Sequence, residues 1–357
     1  MLFFSHLKKL TLHVVIGANV ASILVMLLVG YSDRLNPCEH PVLSGLGLVF
    51  PFLLIVNIAF LLFWLLVKPK LALIPVLGMI INYVPVRTYC PIHFPKEVPG
   101  DAIKVLSYNV KIFEEPDMVE GMHATLHYVL NSQADIVCLQ ETKRHTKWSK
   151  ELCDAYPYRE ELVYGGMSHV ILSHYPIVEK ERIPYESRGN GTAAFYLDID
   201  GERVLVISNH FETNGLSLDD KQEIQELVKG KTDRDTLRQE SHRLILKLGG
   251  AARKRAPQAD AVARYIRDHQ DMPIILCGDF NDSPISYAHY RVARELTDCY
   301  VESGNGPGWS YNHGSMKVRI DNIMCNDYFV PYQCKVDGKI AASDHYPIAC
   351  WLKMQHK

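Results

Sequence analysis

No long run of lysine or arginine occurs in the 357 residues, and Lys+Arg 38 against Asp+Glu 40 leaves a formal net charge of −2. A protein that grips duplex nucleic acid through its phosphates presents a basic stripe, so tight non-specific DNA binding is not expected. There is no CxxC pair and no Cys/His spacing suited to structural zinc. Nine cysteines, an odd count, argue against a dense disulfide framework. Cys138 and Cys277 fall within apolar strand runs and read as buried thiols. A bridge between Cys38 and Cys90 stays open, because both would share one side of a membrane in the topology below.

Asp, Glu, Lys and Arg are also missing from three apolar runs: Leu12 to Val29, Val42 to Val67 and Leu71 to Val86. A bilayer core asks roughly 18 residues of a helix. The first two runs satisfy this, and the third, shorter and carrying Pro75 and Pro85, makes a third span. No small-residue cleavage site follows the first run, where Tyr31-Ser32-Asp33-Arg34 stands, which speaks against a removed signal peptide. Lys8 and Lys9 precede the first span, and Lys68 and Lys70 lie between the second and third, whereas Arg34 is offset by Asp33 and Glu39. The positive-inside rule then places the N-terminus in the cytoplasm and, with three spans, everything after Arg87 outside. Should the third run be re-entrant, the soluble part would instead be cytoplasmic. Asn19, Asn57 and Asn82 read as interhelical hydrogen-bond partners rather than a transport path, since no ionised side chain accompanies them. Residues 1–88 thus form a multi-pass anchor in the cell (inner) membrane. The Pro- and Gly-rich stretch 89–101 is a linker, and residues 102–357 form one catalytic-sized domain.

Within that domain the central stretch is Cys277-Gly278-Asp279-Phe280-Asn281-Asp282, after the apolar run Met272 to Leu276. Such a run bounded by Pro and Gly reads as a buried strand, and its carboxyl end is where layered α/β folds place chemistry. Asp279 and Asn281, two apart, can point to one side while Phe280 turns into the core. An Asx-rich turn capping the next helix would use the same residues. Before this stretch, Ile103 to Val110 alternates as a strand ending near Asn109, Met118 to Leu130 has helical spacing, and Ile136 to Gln140 is a strand ending on Glu141. Strands at Met167 to Ser173 and Ala193 to Ile199 follow. The second turns at Asp200-Gly201 into Arg203 to Asn209 and delivers His210 to a strand end. The charge-rich segment Leu216 to Gly250 reads as one or two exposed helices. Arg253-Lys254-Arg255 opens a helix from Pro257 to His269, solvated at that end. Ser286 to Leu296 is helical, Val318 to Met324 is a strand with Asp321 inside it, and Asp344-His345 precede the last apolar run.

Six motifs occur in order: Ser107-Tyr108-Asn109-Val110, Leu139-Gln140-Glu141, Asn209-His210-Phe211-Glu212, Gly278-Asp279-Phe280-Asn281-Asp282, Arg319-Ile320-Asp321 and Ser343-Asp344-His345. Together they resemble the endonuclease/exonuclease/phosphatase superfamily, the deoxyribonuclease I-like group. The resemblance covers residues 102–357 and implies a four-layer α/β sandwich, two mixed sheets face to face with helices outside, preceded here by the transmembrane helices. It implies Glu141 as principal metal ligand with Asn109 beside it and Asp344 completing the outer shell. Asp279 would align or deprotonate the attacking water, Asn281 would hold phosphate or nucleophile, and His345, oriented by Asp321, would stabilise the phosphorane. His210 would contact a non-bridging oxygen. The implied ion is Mg²⁺, or Mn²⁺. Where some members carry a second carboxylate, Lys111 stands here and could meet substrate phosphate; Arg188 is a second candidate for that contact.

The expected activity is divalent-metal-dependent hydrolysis of phosphate esters, foremost of a phosphodiester. The substrate would be a lipid head group, a nucleotide or a nucleic acid met by a domain held at the bilayer on the outer, periplasmic face. No protein partner is indicated. A phosphomonoesterase is the second reading, and a non-catalytic scaffold that binds phosphorylated ligands at the membrane is the third.

Overall fold

The computed structural model describes residues 2–114, 118–146, 148–217, 219–220, 222–223, 226, 234–313, 316–340 and 342–355. In chain order the strands of the first sheet are β1 (Ile103–Asn109), β4 (Ile136–Lys143), β5 (Tyr158–Tyr164), β6 (Met167–Ser173), β15 (Phe329–Val336) and β16 (Ile348–Met354). Those of the second are β7 (Ile177–Arg182), β8 (Gly191–Ile199), β9 (Glu202–His210), β10 (Ile274–Asp279), β11 (Thr297–Asp298) and β14 (Asp321–Cys325). Two short hairpins, β2 (Met118–Val119) with β3 (Met122–His123) and β12 (Tyr311–His313) with β13 (Met316–Val318), complete the set among the described residues. The sheet orders are β15-β16-β1-β4-β6-β5 and β11-β14-β10-β9-β8-β7.

Both faces of each central strand are buried, which is why these segments read as near-continuous apolar runs. In β1, Ile103 and Val105 enter the core between the sheets with Phe195, Val206 and Cys277, while Leu106 and Tyr108 enter the opposite core. That opposite core holds Val129 and Leu152 from the helices Ala124–Ser132 and Lys150–Ala155. On the far side, Ala259, Val262 and Ile266 of the helix Arg234–Arg267 and Val292 of the helix Tyr287–Ala293 cover the second sheet. The result is helix, sheet, sheet, helix: the four-layer α/β sandwich.

Among the described residues two helices are long and apolar enough to cross a membrane, His6–Arg34 and Pro41–Val67, and the pair Pro69–Ile81 and Tyr83–Tyr89 meets at 73°. Asn19 Oδ1 accepts from Trp64 Nε1 at 3.0 Å and Asn57 Oδ1 from Ser22 Oγ at 3.1 Å, so both join helices. Asn82 does not. Its Nδ2 donates within its own helix region to Gly78 O at 2.9 Å, at the bend.

Several local expectations need correction. Met118 to Leu130 is not one helix: Gly121, at φ +79°, turns the β2–β3 hairpin before the helix begins at Ala124. The basic triplet 253–255 does not open a helix, because the helix runs through Pro257 from Arg234. Nor is it solvated throughout: Arg255 is 2% exposed and donates Nη2 to Asp282 Oδ2 at 2.7 Å, and Nη1 to Glu212 O at 3.1 Å and to Asn214 Oδ1 at 2.9 Å. Part of Leu216 to Gly250 lies outside the described residues. Cys38 and Cys90 are free thiols. The stretch after Tyr89 lies on the domain, with His93 N–H donating to Asn305 Oδ1 at 2.7 Å and Gly306 N–H to Pro91 O at 2.8 Å.

Candidate active site

The site lies where β1 ends and β4 bulges in one sheet, opposite the ends of β9 and β10 and the start of β14 in the other. Register sets its layout: Asn109 pairs with Gln140 in parallel strands, Asp279 with His210 in parallel strands, and Asp279 with Asp321 in antiparallel ones. The β4–β6 pairing slips between Leu139 and Thr142. This bulge, with Glu141 at φ +53°, swings the Glu141 side chain toward Asn109 and His210. The close approach of β10 to β9 requires glycine at 278, where φ is +140° and a Cβ would stand 1.9 Å from Asn209 O.

Asp279 is the hub. Its Oδ2 accepts from Asn109 Nδ2 at 3.1 Å and lies 3.6 Å from His210 Nε2 and 3.7 Å from His345 Nε2. Its Oδ1 accepts the Asn281 backbone N–H at 2.7 Å. Asn109 Nδ2 also reaches Glu141 Oε1 at 2.9 Å, and His210 Nε2 lies 3.3 Å from that same oxygen. His345 Nδ1 donates to Asp321 Oδ2 at 2.8 Å, and the Tyr311 ring stands edge-on to the imidazole at 5.3 Å. Burial pushes the Asp279 carboxyl up to about 6, against the pull of His345 and His210. Burial alone would lower His345, but the carboxylates of Asp321 and Asp279 hold it at about 10, as an imidazolium.

The remaining candidates stand further out. Asn281 Nδ2 donates to Phe211 O at 3.0 Å, tying two site loops together. Asp344 Oδ2 is 4.0 Å from Lys111 Nζ, which also pairs with Glu114 at 3.3 Å. Arg188 lines a neighbouring cavity of about 400 Å³ with Tyr164, Arg182 and Tyr185; Asn190, in the same lining, brings its Nδ2 3.1 Å from His210 Nε2.

The donor set suits a hard cation. One ligand atom from each of Glu141, His210 and Asp279 lies within 4.8 Å of the others, as does one from each of Asp279, Asp321 and His345. Asp321 Oδ1 is buried with no hydrogen-bond partner among the described residues. Carboxylate oxygens with room for water and substrate are what Mg²⁺ or Mn²⁺ takes.

Sequence reasoning passed over His169, which lies opposite the β4 bulge with its Nδ1 2.9 Å from the Ser208 hydroxyl and its ring 6.3 Å from that of His210. Burial pulls this imidazole down to about 3, so it is neutral. A histidine immediately before the apolar run Val170-Ile171-Leu172 was its signal. Ser310 was also missed; its hydroxyl accepts the backbone N–H groups of Ile320 and Asp321, both at 3.0 Å.

The sequence matches the model of the Endonuclease/Exonuclease/phosphatase family over residues 106–345, more than half of the chain. The chain belongs to the endonuclease/exonuclease/phosphatase family. A second match, over residues 12–89, is to a domain of unknown function. No curated protein sequence matches. Among solved structures, the human Nocturnin catalytic domain with bound sulfate anion superposes at TM-score 0.53 and 15% identity, covering 72% of this chain and 97% of that one. D. rerio TDP2 complexed with single strand DNA product gives 0.51 and 15%, covering 71% and 100%. An endonuclease/exonuclease/phosphatase from Beutenbergia cavernae gives 0.50 and 17%, covering 71% and 72%. At these identities the likeness establishes the fold, and the family membership makes the chain a phosphoester hydrolase.

Proposed function

We propose that this family member is a divalent-metal-dependent phosphodiesterase tethered to the membrane by its N-terminal helices. The observation that carries this is the convergence on Asp279 Oδ2 of Asn109, His210 and His345 from three strand or loop ends. In hydrolysis of a diester, water oxygen bonds to phosphorus as one P–O bond breaks; water's proton goes to the departing alkoxide, giving an alcohol and a phosphomonoester. Asp279, a carboxylate with a raised pKa, accepts the water proton at Oδ2. The His345 imidazolium, held by Asp321, donates a hydrogen bond to the oxygens gaining charge at phosphorus. His210 offers a second donor from the opposite side. Bound Mg²⁺ or Mn²⁺, held by Glu141 with Asn109 and with Asp344 further out, would supply charge neutralisation at the phosphate. Lys111 and Arg188 are the cations proposed to meet substrate oxygens.

Residues 1–88 are the proposed anchor, 89–101 the connection and 102–357 the catalytic unit. Gly30 packs on Pro85 and Phe50, and Phe50 on Tyr89, at 5.9 Å between rings. The ends of all three hydrophobic segments therefore meet beside the domain, while Lys68 and Lys70 lie a helix length away. That arrangement supports a third crossing and a domain on the outer face. Alkaline phosphatase fused after Gln355 should then be active; a silent fusion overturns this orientation.

The test of activity is turnover of bis(p-nitrophenyl) phosphate against p-nitrophenyl phosphate by the full chain with Mg²⁺, Mn²⁺ or EDTA, beside Asp279→Ala. Diester turnover that requires metal and falls at least about 10³-fold in the variant is expected. Preference for the monoester would make it a phosphatase. No turnover of either would favour the binding scaffold.

A further inference from the structure

The junction between the domain and the apolar N-terminal helices contacts two of the loops that lead into the reacting groups. The guanidinium of Arg319, 1% exposed, donates Nη2 to Thr88 O at 2.5 Å and Nη1 to Pro307 O at 3.1 Å, and Asp321 follows two residues later. Two residues span at most about 7 Å. On the other loop, Ile285 follows Asn281 by four residues, a reach of at most about 14 Å, and it packs in one apolar cluster with Met26, Phe50, Leu54 and Tyr89. Its carbonyl lies where a Cβ on Gly47 would stand, 1.7 Å away, so only glycine admits that approach. Arg87 adds an ion pair to Glu302 at 2.7 Å.

Within the apolar segment Pro41–Val67, Pro41 and Gly47 pack on the domain at Gly249 and Ile285, which leaves the helix Phe50–Val67, 18 residues and about 27 Å at the α-helical rise, close to the roughly 30 Å of a hydrocarbon core. Phe50 and its ring partner Tyr89 then mark the outer hydrocarbon boundary, and Thr88 and Arg319 lie at head-group level. Trp309, 42% exposed and one residue before the Ser310 that caps Asp321, sits by this edge with Tyr89 as its neighbour; Ile92 and Phe94 are 84% and 93% exposed. Exposed indole and apolar side chains at this height fit an interfacial belt.

Resting on the tethered-hydrolase reading, we infer that the substrate is the phosphodiester head group of a lipid in the protein's own bilayer. Such a substrate would reach Asp279, Asp321 and His345 by lateral diffusion in the bilayer against which the Arg319 and Ile285 contacts seat the domain, with its effective concentration set by the bilayer.

The test uses the full chain reconstituted into phosphatidylethanolamine and phosphatidylglycerol vesicles with Mg²⁺ or Mn²⁺. Head-group release is followed for labelled lipid in the same bilayer, for the same lipid in added protein-free vesicles, and beside cleavage of a single-stranded oligonucleotide. Bis(p-nitrophenyl) phosphate runs in each sample as a soluble diester. Own-bilayer lipid should turn over at least about 10-fold faster than added-vesicle lipid and than the oligonucleotide, and Asp279→Ala should abolish it. Turnover of the soluble diester with lipid left intact, with equal rates on the two vesicle populations, or with faster oligonucleotide cleavage, overturns the lipid assignment and leaves the hydrolase reading standing. No turnover of any substrate overturns both.

Discussion

Arg255 offers the sharpest test of how the site is built, because nothing in its position requires it to touch substrate. Its buried guanidinium grips Asp282 with Nε at 3.1 Å and Nη2 at 2.7 Å, and satisfies Glu212 O and Asn214 Oδ1 with Nη1. Asp282 follows Asn281, whose backbone N–H holds Asp279 and whose side chain holds Phe211 O. Arg255→Met removes the cation and leaves an acid only 14% exposed without its partner, which costs about 3–5 kcal/mol. For a domain of this size the thermal midpoint should fall by roughly 6–20 °C. Arg255→Met with Asp282→Leu removes both charges and should recover at least about half of that loss, the remainder being the hydrogen bonds to Glu212 and Asn214 and the Ser283 N–H that Asp282 Oδ1 accepts at 2.9 Å. Unfolding of the full chain in detergent, followed by circular dichroism, reads both variants. Diester turnover at a temperature where the single variant is folded should also drop by about 10–100-fold, since the Asn281 loop is no longer pinned. A single variant melting within about 2 °C of the parent, or a double variant as unstable as the single, would refute the reasoning.

Gly278→Ala should cost roughly 2–5 kcal/mol, because its methyl meets Asn209 O and the backbone is confined to a glycine conformation. Diester turnover should fall with it as Asp279 moves relative to His210; a variant with parental midpoint and rate refutes the close-approach argument. Asp298 gives a pH test away from the site. Burial by itself would raise its carboxyl, but His289 Nε2 at 2.8 Å, Arg319 and the N–H groups of Tyr300 and Val301 hold it below the ordinary carboxylate range. A depressed folded-state pKa contributes stability above the unfolded value of about 3.9 and loses it as pH falls through the folded value. Asp298→Asn should therefore be less stable by about 1–3 kcal/mol at pH 7 and show a flatter decline below about pH 5 in denaturation midpoints; parallel declines would refute the role.

The sequence alone determined the element types wherever burial was two-sided or a turn was chemically distinctive. The Asp200-Gly201 hairpin lies where its residues place it, between β8 and β9, and the runs around Cys138 and Cys277 are strands because both faces are covered. The order of Asn109, Glu141, His210, Asp279, Asp321 and His345 along the chain was legible too, each expected at or beside a strand end, although Glu141 lies within β4, at its bulge. Only the tertiary structure decided their distances. The β4 bulge that aims Glu141 depends on pairing with β6, and Asp279 meets His210 and Asp321 through register with two other strands, both non-local properties. The same holds for charge: Arg253-Lys254-Arg255 has the local pattern of a solvated helix end, and what buries Arg255 is Asp282, 27 residues on. Apolar length gave the helices long enough to cross a membrane, but their contact with Arg319 and Ile285 arises from packing between segments far apart in sequence, 231 residues for Arg319 and Thr88, which no local pattern encodes.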